Sequence, residues 1–328
     1  MEYKAQGRIV KGVGGLYFVS VSSCEEPSAV GMLLPCRARG KFRHSNLTPL
    51  VGDTVEIIFN ERTLSALNSD AEDNKKAASE IMISEIINRK NALIRPPLAN
   101  LDYMFISMAS ASPTPILSTV DKLISIAEFN SIEPIIVIGK CELDRDISKE
   151  VFETYQKAGF KVFLISVYED EGVDALKEFV NASLAGKIAA FAGASGVGKS
   201  SLMNKLFPSL KLDTGEISKK IERGKNTTRH VELFAHSCQD GIGYIADTPG
   251  FSMLDFEHFD FFKKDDLPLT MREFNDYIGQ CKYTKCTHTK EDGCAILEAV
   301  SCGDIAKSRH DSFIEMYNVL KNKPDWKK

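Results

Sequence analysis

A chain of 328 residues is too long for one ordinary domain and long enough to bury a large core. Hydrophobic residues at 43% and charged residues at 26% exclude a chain that is disordered throughout. With 41 Lys and Arg against 45 Asp and Glu, the net charge of −4 excludes a globally basic nucleic-acid binder, so any RNA contact must come from a local patch. No run of about 18 apolar residues occurs, and the opening MEYKAQGRIVKG has no signal-peptide core, so neither membrane span nor leader is expected. Three of the eight cysteines crowd between 281 and 294 beside a histidine, which suits a metal site in a reducing, cytoplasmic compartment better than a disulfide scaffold.

Residues 1–92 read as all-β. Gly12, Gly14 and Gly15 punctuate stretches rich in Val, Ile, Tyr and Phe, while Val51–Phe59 and Met82–Asn88 read as strands. The polar SDAEDNKKAAS between them reads as a long exposed loop. Short strands with glycine turns in so few residues suggest a small β-barrel, an OB-fold. Arg95–Pro97 breaks that rhythm, and the pattern becomes α/β over 93–260. YMFISMA, Pro134–Gly139, Lys161–Ser166 and Ile188–Gly193 read as buried strands. Leu117–Phe129, Lys149–Ala158 and Val173–Leu184 read as helices, the alternation of a parallel sheet with helices on both faces. From 261 to 328 the chain is mainly helical around the Cys/His cluster.

The segment Gly193-Ala194-Ser195-Gly196-Val197-Gly198-Lys199-Ser200 fits G-x-x-x-x-G-K-[ST]. It follows a predicted strand and opens a predicted helix at Ser201–Phe207. Glycines let backbone N–H groups turn inward around a phosphate, and the helix N-terminus adds partial positive charge. Lys199 would neutralise the β- and γ-phosphates, and Ser200 would ligate Mg²⁺. Asp247-Thr248-Pro249-Gly250 ends a later strand, where Asp247 suits Mg²⁺ and the Gly250 N–H suits the γ-phosphate. Between them, Arg223–Arg229 contains Thr227 and Thr228, either of which could complete the Mg²⁺ shell.

The guanine-reading pattern usual in GTPases, N-K-x-D after a later strand with an S-A-x loop further on, does not follow Asp247. Candidate base-reading segments lie upstream instead: Gly139-Lys140-Cys141-Glu142 after one buried strand and Ser166-Val167 after the next. Lys140, Glu142 and Ser166 are the base-reading candidates. The motifs therefore run base, base, phosphate loop, switch I, switch II, which is a circular permutation. Such a permutation is tolerated because the ligand sits outside the C-terminal ends of parallel strands, whichever strand comes first.

Cys281-x4-Cys286-x-His288-x5-Cys294 supplies three thiolates and an imidazole, the donor set of a closed tetrahedral zinc site. Cys24, Cys36, Cys141 and Cys238 read as apolar fillers and Cys302 as a spare thiol. The run Arg37-Ala38-Arg39-Gly40-Lys41-Phe42-Arg43-His44 combines cations with an aromatic ring, which suits phosphate contacts and base stacking on RNA. The tail from Lys321 to Lys328, with Trp326, has similar character.

With RPPLANLD, the displaced base motif, GASGVGKSSL, RGKNTTRHVELF, YIADTPGF and the Cys/His cluster, the chain resembles the ribosome small-subunit-dependent GTPases, the RsgA/YjeQ family. The resemblance spans essentially the whole chain. It implies an OB-fold, a circularly permuted P-loop GTPase domain and a C-terminal zinc domain. It also implies GTP, GDP and Mg²⁺ as ligands, and a monomeric protein acting on the 30S subunit and its 16S rRNA late in maturation, without DNA or membrane. Three positions depart from the family pattern: Gly139 replaces Asn or Thr, Glu142 replaces Asp, and Asn226 replaces a histidine proposed to be catalytic. Phe251 follows the D-T-P-G segment, where it cannot orient water, so slow intrinsic hydrolysis stimulated by the subunit is expected. Two other readings stay open: an RNA-binding assembly factor with a decayed nucleotide site, and a P-loop enzyme preferring ATP.

Overall fold

The computed structural model describes residues 2–40, 42, 47–67, 80–208, 210, 231–247 and 261–323. Five strands form an N-terminal barrel: β1 (Glu2–Val13), β2 (Leu16–Cys24), β3 (Leu33–Ala38), β4 (Thr54–Asn60) and β5 (Met82–Ile87). Neighbours run β1–β2–β3–β5–β4, and β4 returns to β1, so the sheet closes on itself. The β3–β5 pair is parallel and the other pairs are antiparallel, the OB arrangement. Strict alternation along β4 turns Val55, Ile57 and Phe59 into the barrel core. Phe42 is buried with them at 7% exposure, so its ring is not offered for base stacking: tertiary packing claims the one aromatic in a run of cations. Arg37 and Arg39 are exposed, whereas Lys41, Arg43 and His44 lie outside the described residues, as does the whole polar segment 69–79. A short helix, α1 (Glu61–Leu67), follows β4, and a small hairpin of β6 (Ala92–Leu93) and β7 (Leu98–Ala99) surrounds Arg95 and its two prolines.

The larger sheet contains β8 (Tyr103–Ala109), β9 (Glu133–Gly139), β10 (Lys161–Ile165), β11 (Ile188–Ala192), β12 (Glu232–Cys238) and β13 (Gly241–Asp247). Its spatial order is β10–β9–β8–β11–β13–β12. The first five strands in that order are parallel, as the sequence predicts. The edge strand β12 departs from that prediction and runs antiparallel to β13, because a two-residue turn cannot provide the crossover that parallel pairing requires. Beyond it, Lys11 pairs with Glu232 in the ladder and by a 2.8 Å ion pair, joining this sheet to the barrel.

The central strands are apolar on both faces because both faces are covered. Helices α2 (Leu117–Phe129) and α3 (Arg145–Lys157) serve one core containing Met104, Ile106 and Ile136. Helices α4 (Val173–Ser183) and α5 (Lys199–Leu206) serve the other, where Phe105 stacks on Phe191 at 4.8 Å. The described C-terminal part contains 3₁₀ turns at Leu267–Thr270 and Arg272–Phe274, then α6 (Ala295–Ser301) and α7 (Lys307–Asn322). The last helix packs on α2 around Arg309, which is 1% exposed. Its guanidinium bonds Asp121 at 2.5 Å and Glu273 at 2.7 and 3.1 Å, and Asp121 also accepts from the Tyr155 hydroxyl at 2.8 Å. Among the described residues, no helix is long and apolar enough to cross a membrane.

Candidate nucleotide site and metal centre

The phosphate loop turns sharply between β11 and α5, and its glycines are dictated by geometry. A Cβ on Gly193 would stand 2.0 Å from the Ser107 carbonyl oxygen, so only glycine lets the loop leave the sheet there. Gly198 takes φ +97° as the residue before α5, and no side chain caps that helix. Backbone N–H groups of its first turn are therefore left for a ligand. Lys199 donates to the carbonyls of Gly193 at 2.7 Å and Ala194 at 2.6 Å, so two of its three N–H bonds hold it against the loop and one is left. Burial pushes its ammonium down to about 8, an environment that an anionic phosphate would offset. Ser195, Ser200 and Ser201 are exposed along the same turn.

A cavity of about 410 Å³ opens beside this loop, at the C-terminal ends of β8, β9 and β10. Val197, Gly198, Lys199 and Ser201 line it from one side, and Gly139, Lys140 and Glu142 from the other. Segments some fifty residues apart in sequence, two of them read separately above, meet in one concavity. Glu142 has a carboxylate oxygen, Oε2, that is buried and has no hydrogen-bond partner among the described residues. Such an acceptor is free to take a donor from a ligand, and an unpaired buried carboxylate oxygen is costly without one. Lys140 sits at φ +55°, its ammonium bonded to the Ser112 carbonyl and its own carbonyl accepting from the Ser110 hydroxyl at 2.6 Å. Its alkyl stem is thereby fixed at the cavity wall. Gly139 lets the phosphate loop come close: a Cβ there would be 3.2 Å from the Val197 carbonyl oxygen.

Ser166 does not join this lining. It is fully buried, its hydroxyl accepts from the Glu169 N–H at 3.0 Å, and its backbone pairs in both directions with Glu171. The serine shapes the turn, and its neighbours Ile165, Val167 and Tyr168 reach the cavity. Ser107 and Leu202 also line it and were missed in the sequence, because nothing local distinguishes them from core residues. Asp247 ends β13, but its side chain and the candidates Asn226, Thr227, Thr228 and Gly250 lie outside the described residues. A second cavity of about 470 Å³ lies at the opposite ends of the strands, where Arg272 is already paired with Glu128 and Glu133. The crevice rule for open parallel sheets favours the first.

The metal centre is compact. The donor atoms of Cys281, Cys286, His288 and Cys294 all lie within 4.8 Å of one another. Sγ of Cys281 is 3.8 Å from Sγ of Cys294, and His288 Nδ1 is 3.5 and 3.6 Å from these two sulfurs. A tetrahedron with zinc–sulfur bonds of about 2.3 Å and zinc–nitrogen bonds of about 2.0 Å has edges of about 3.5–3.8 Å, so Cys281, His288 and Cys294 match three of its corners, with Cys286 close by as the fourth donor. Burial, with the neighbouring thiols adding to it, pushes the Cys286 thiol up to about 12, so a thiolate there needs a cation. His310 bonds the His288 carbonyl at 2.8 Å and ties α7 to the cluster. Thr287 and Thr289 N–H groups bond the Glu291 carboxylate at 3.0 and 3.1 Å and brace the loop that carries His288.

The fold and site define a P-loop nucleotide-binding protein whose base segments precede its phosphate loop. A family profile described as RsgA GTPase matches residues 86–257, and one described as RsgA N-terminal domain matches residues 6–66. The small ribosomal subunit biogenesis GTPase RsgA of Caldanaerobacter subterraneus subsp. tengcongensis is 38% identical over 322 residues, covering 98% of this chain and 97% of that protein. Its counterpart in Ruminiclostridium cellulolyticum is 39% identical, with 98% and 95% covered. The crystal structure of YjeQ from Thermotoga maritima superposes with a TM-score of 0.76 at 31% identity, covering 98% of this chain and all of that one. YloQ, described as a circularly permuted GTPase, superposes with a TM-score of 0.72 at 32% identity over 98% of this chain and 97% of that one. The chain belongs to the RsgA GTPase family.

Proposed function

We propose that this protein binds Mg²⁺–GTP in the cavity between the phosphate loop and the Glu142 turn, and hydrolyses it on the small (30S) ribosomal subunit during late maturation. One observation carries the nucleotide reading: Glu142, with a buried oxygen that has no hydrogen-bond partner among the described residues, and Lys199 line the same cavity. A carboxylate accepts from adjacent N–H donors, which the Watson–Crick edge of guanine presents and that of adenine does not. A decayed site has no reason to keep such an acceptor buried, and adenine offers it no pair of adjacent N–H donors.

In this reading Gly193, Ser195, Gly196, Val197, Gly198 and Ser201 wrap the phosphates with backbone N–H groups. Lys199 supplies a fixed positive charge, Glu142 selects the base and Lys140 lays its stem on it. Ser200, Thr228 or Thr227, and Asp247 would hold Mg²⁺, which offsets negative charge on the β- and γ-phosphates when bound. Gly250 would contact the γ-phosphate and Asn226 would orient water. Ser166 acts on the base through the turn it shapes. Zinc held by Cys281, Cys286, His288 and Cys294 stiffens the C-terminal segment, with no position open for catalysis. The domain limits 1–92, 93–260 and 261–328 belong to the same proposal, with the barrel meeting 16S rRNA through Arg37, Arg39, Lys41 and Arg43. A cytoplasmic monomer, without DNA or membrane contact, fits this role.

The test is GTP hydrolysis by the whole chain, with and without purified small subunits. Stimulation in the range of about 10³–10⁵ is the scale available when a missing group is supplied in trans. Neutralising Arg39, Lys41 and Arg43 together should spare intrinsic turnover and reduce only the stimulation. Equal rates with and without saturating subunits would refute the proposal.

A further inference from the structure

Tyr168 is 90% exposed, the most exposed of the large hydrophobic side chains described, and it stands on the rim of the nucleotide cavity. An aromatic ring in water is unremarkable on a mobile loop, but this loop is pinned from several directions. The Ser166 hydroxyl and backbone close the turn around residues 166–171. Arg145 of α3 pairs with Glu169 at 2.9 Å and Glu171 at 2.6 Å. Lys205, on the phosphate-loop helix, pairs with Asp170 at 2.6 Å. These ties hold the backbone beneath the ring and link it to the helix that begins at the phosphate site. The cost of ordering the ring on ligand binding is therefore small.

The cavity beside the ring has apolar walls from Val137, Ile165, Val167 and Leu202, and the Lys140 stem belongs to the same lining. Gly139 contributes no side chain to grip a base edge. A flat heteroaromatic ligand entering here meets one carboxylate at its edge and exposed aromatic surface at the rim. We infer that Tyr168 is a positioning residue of the nucleotide site, its ring stacking on a face of the purine and supplying affinity without reading the base edge. This rests on the guanine-nucleotide reading above. Stacking accepts any purine face, so Tyr168 adds affinity for either purine while Glu142 discriminates between them.

The experiment is calorimetric titration of the full chain with Mg²⁺–GDP and with Mg²⁺–inosine diphosphate, which lacks the exocyclic amine. Tyr168→Ala is expected to weaken both ligands about tenfold, within the range known for base–aromatic stacking, and to leave their ratio unchanged. Tyr168→Phe is expected to bind within about twofold of the native chain, because the stacking face is kept. Glu142→Ala is expected to change the ratio of the two ligands. Native GDP affinity in Tyr168→Ala, or a Phe variant as weak as the Ala variant, would overturn the stacking role and leave the site itself standing. No saturable GDP binding by the native chain would overturn both.

Discussion

At the residue scale, Lys199 and Glu142 divide the proposed nucleotide between them. Lys199 is held by two carbonyls, so its remaining N–H is aimed rather than free to wander. Lys199→Ala removes the one fixed charge among the described phosphate-loop residues and should abolish turnover with or without subunits, measured as phosphate release. Glu142→Ala should weaken GDP by about 10–100-fold, the worth of charge-assisted hydrogen bonds at about 1.5–3 kcal/mol, and leave ADP unchanged in competition titration. Glu142→Asp tests the extra methylene directly. GDP should tighten and ADP stay unchanged in the same titration; weaker GDP binding would contradict this and mean that the turn is built around glutamate.

At the scale of elements, α2 carries two relationships. The segment 110–116 leading into it touches the Lys140 turn, through Ser110 on the Lys140 carbonyl and the Lys140 ammonium on Ser112. Its body carries Asp121, the anion that receives Arg309 from α7. Both charges of that pair are 1% exposed, so neither can fall back on water when the other is removed. Arg309→Ala should therefore destabilise the chain by about 3–5 kcal/mol in chemical denaturation. An Arg309→Met, Asp121→Leu double variant should recover only part of that loss, because it still orphans the Glu273 carboxylate, 6% exposed, that Arg309 also holds. Lys122 and Glu315 add a more exposed tie at 2.6 Å between the same helices, and its loss should change stability by less than about 1 kcal/mol.

At the scale of the whole molecule, a barrel, a permuted α/β sheet and a helical segment that carries the Cys/His cluster form one chain. The large sheet continues through Lys11 and Glu232 into the barrel, and α7 clasps α2 at the other side. Freshly isolated protein should carry about one zinc per chain by elemental analysis. Cys286→Ala, or chelation, should loosen the segment beyond residue 261, read as faster hydrogen exchange there. GDP binding should persist, because the described nucleotide residues belong to other elements. Protein isolated without chelator and free of metal would contradict the assignment.

Short-range chemistry was legible in the sequence by itself. The phosphate loop is eight consecutive residues and the metal donors fall within fourteen, so spacing alone restricts what they can bind. The limits of α2 agree with its apolar periodicity, and the order of motifs announced the permutation. What only the tertiary structure decided depends on partners far apart in the chain. Asp121 and Arg309 are 188 residues apart, and neither position advertises the other. Phe42 reads like a stacking residue until the barrel closes over it. The antiparallel edge strand, the inward turn of Ser166 and the outward stance of Tyr168 follow the same logic. Whether a side chain faces core, turn or ligand is fixed by what packs beside it, and that competition for neighbours is settled only when the whole chain has folded.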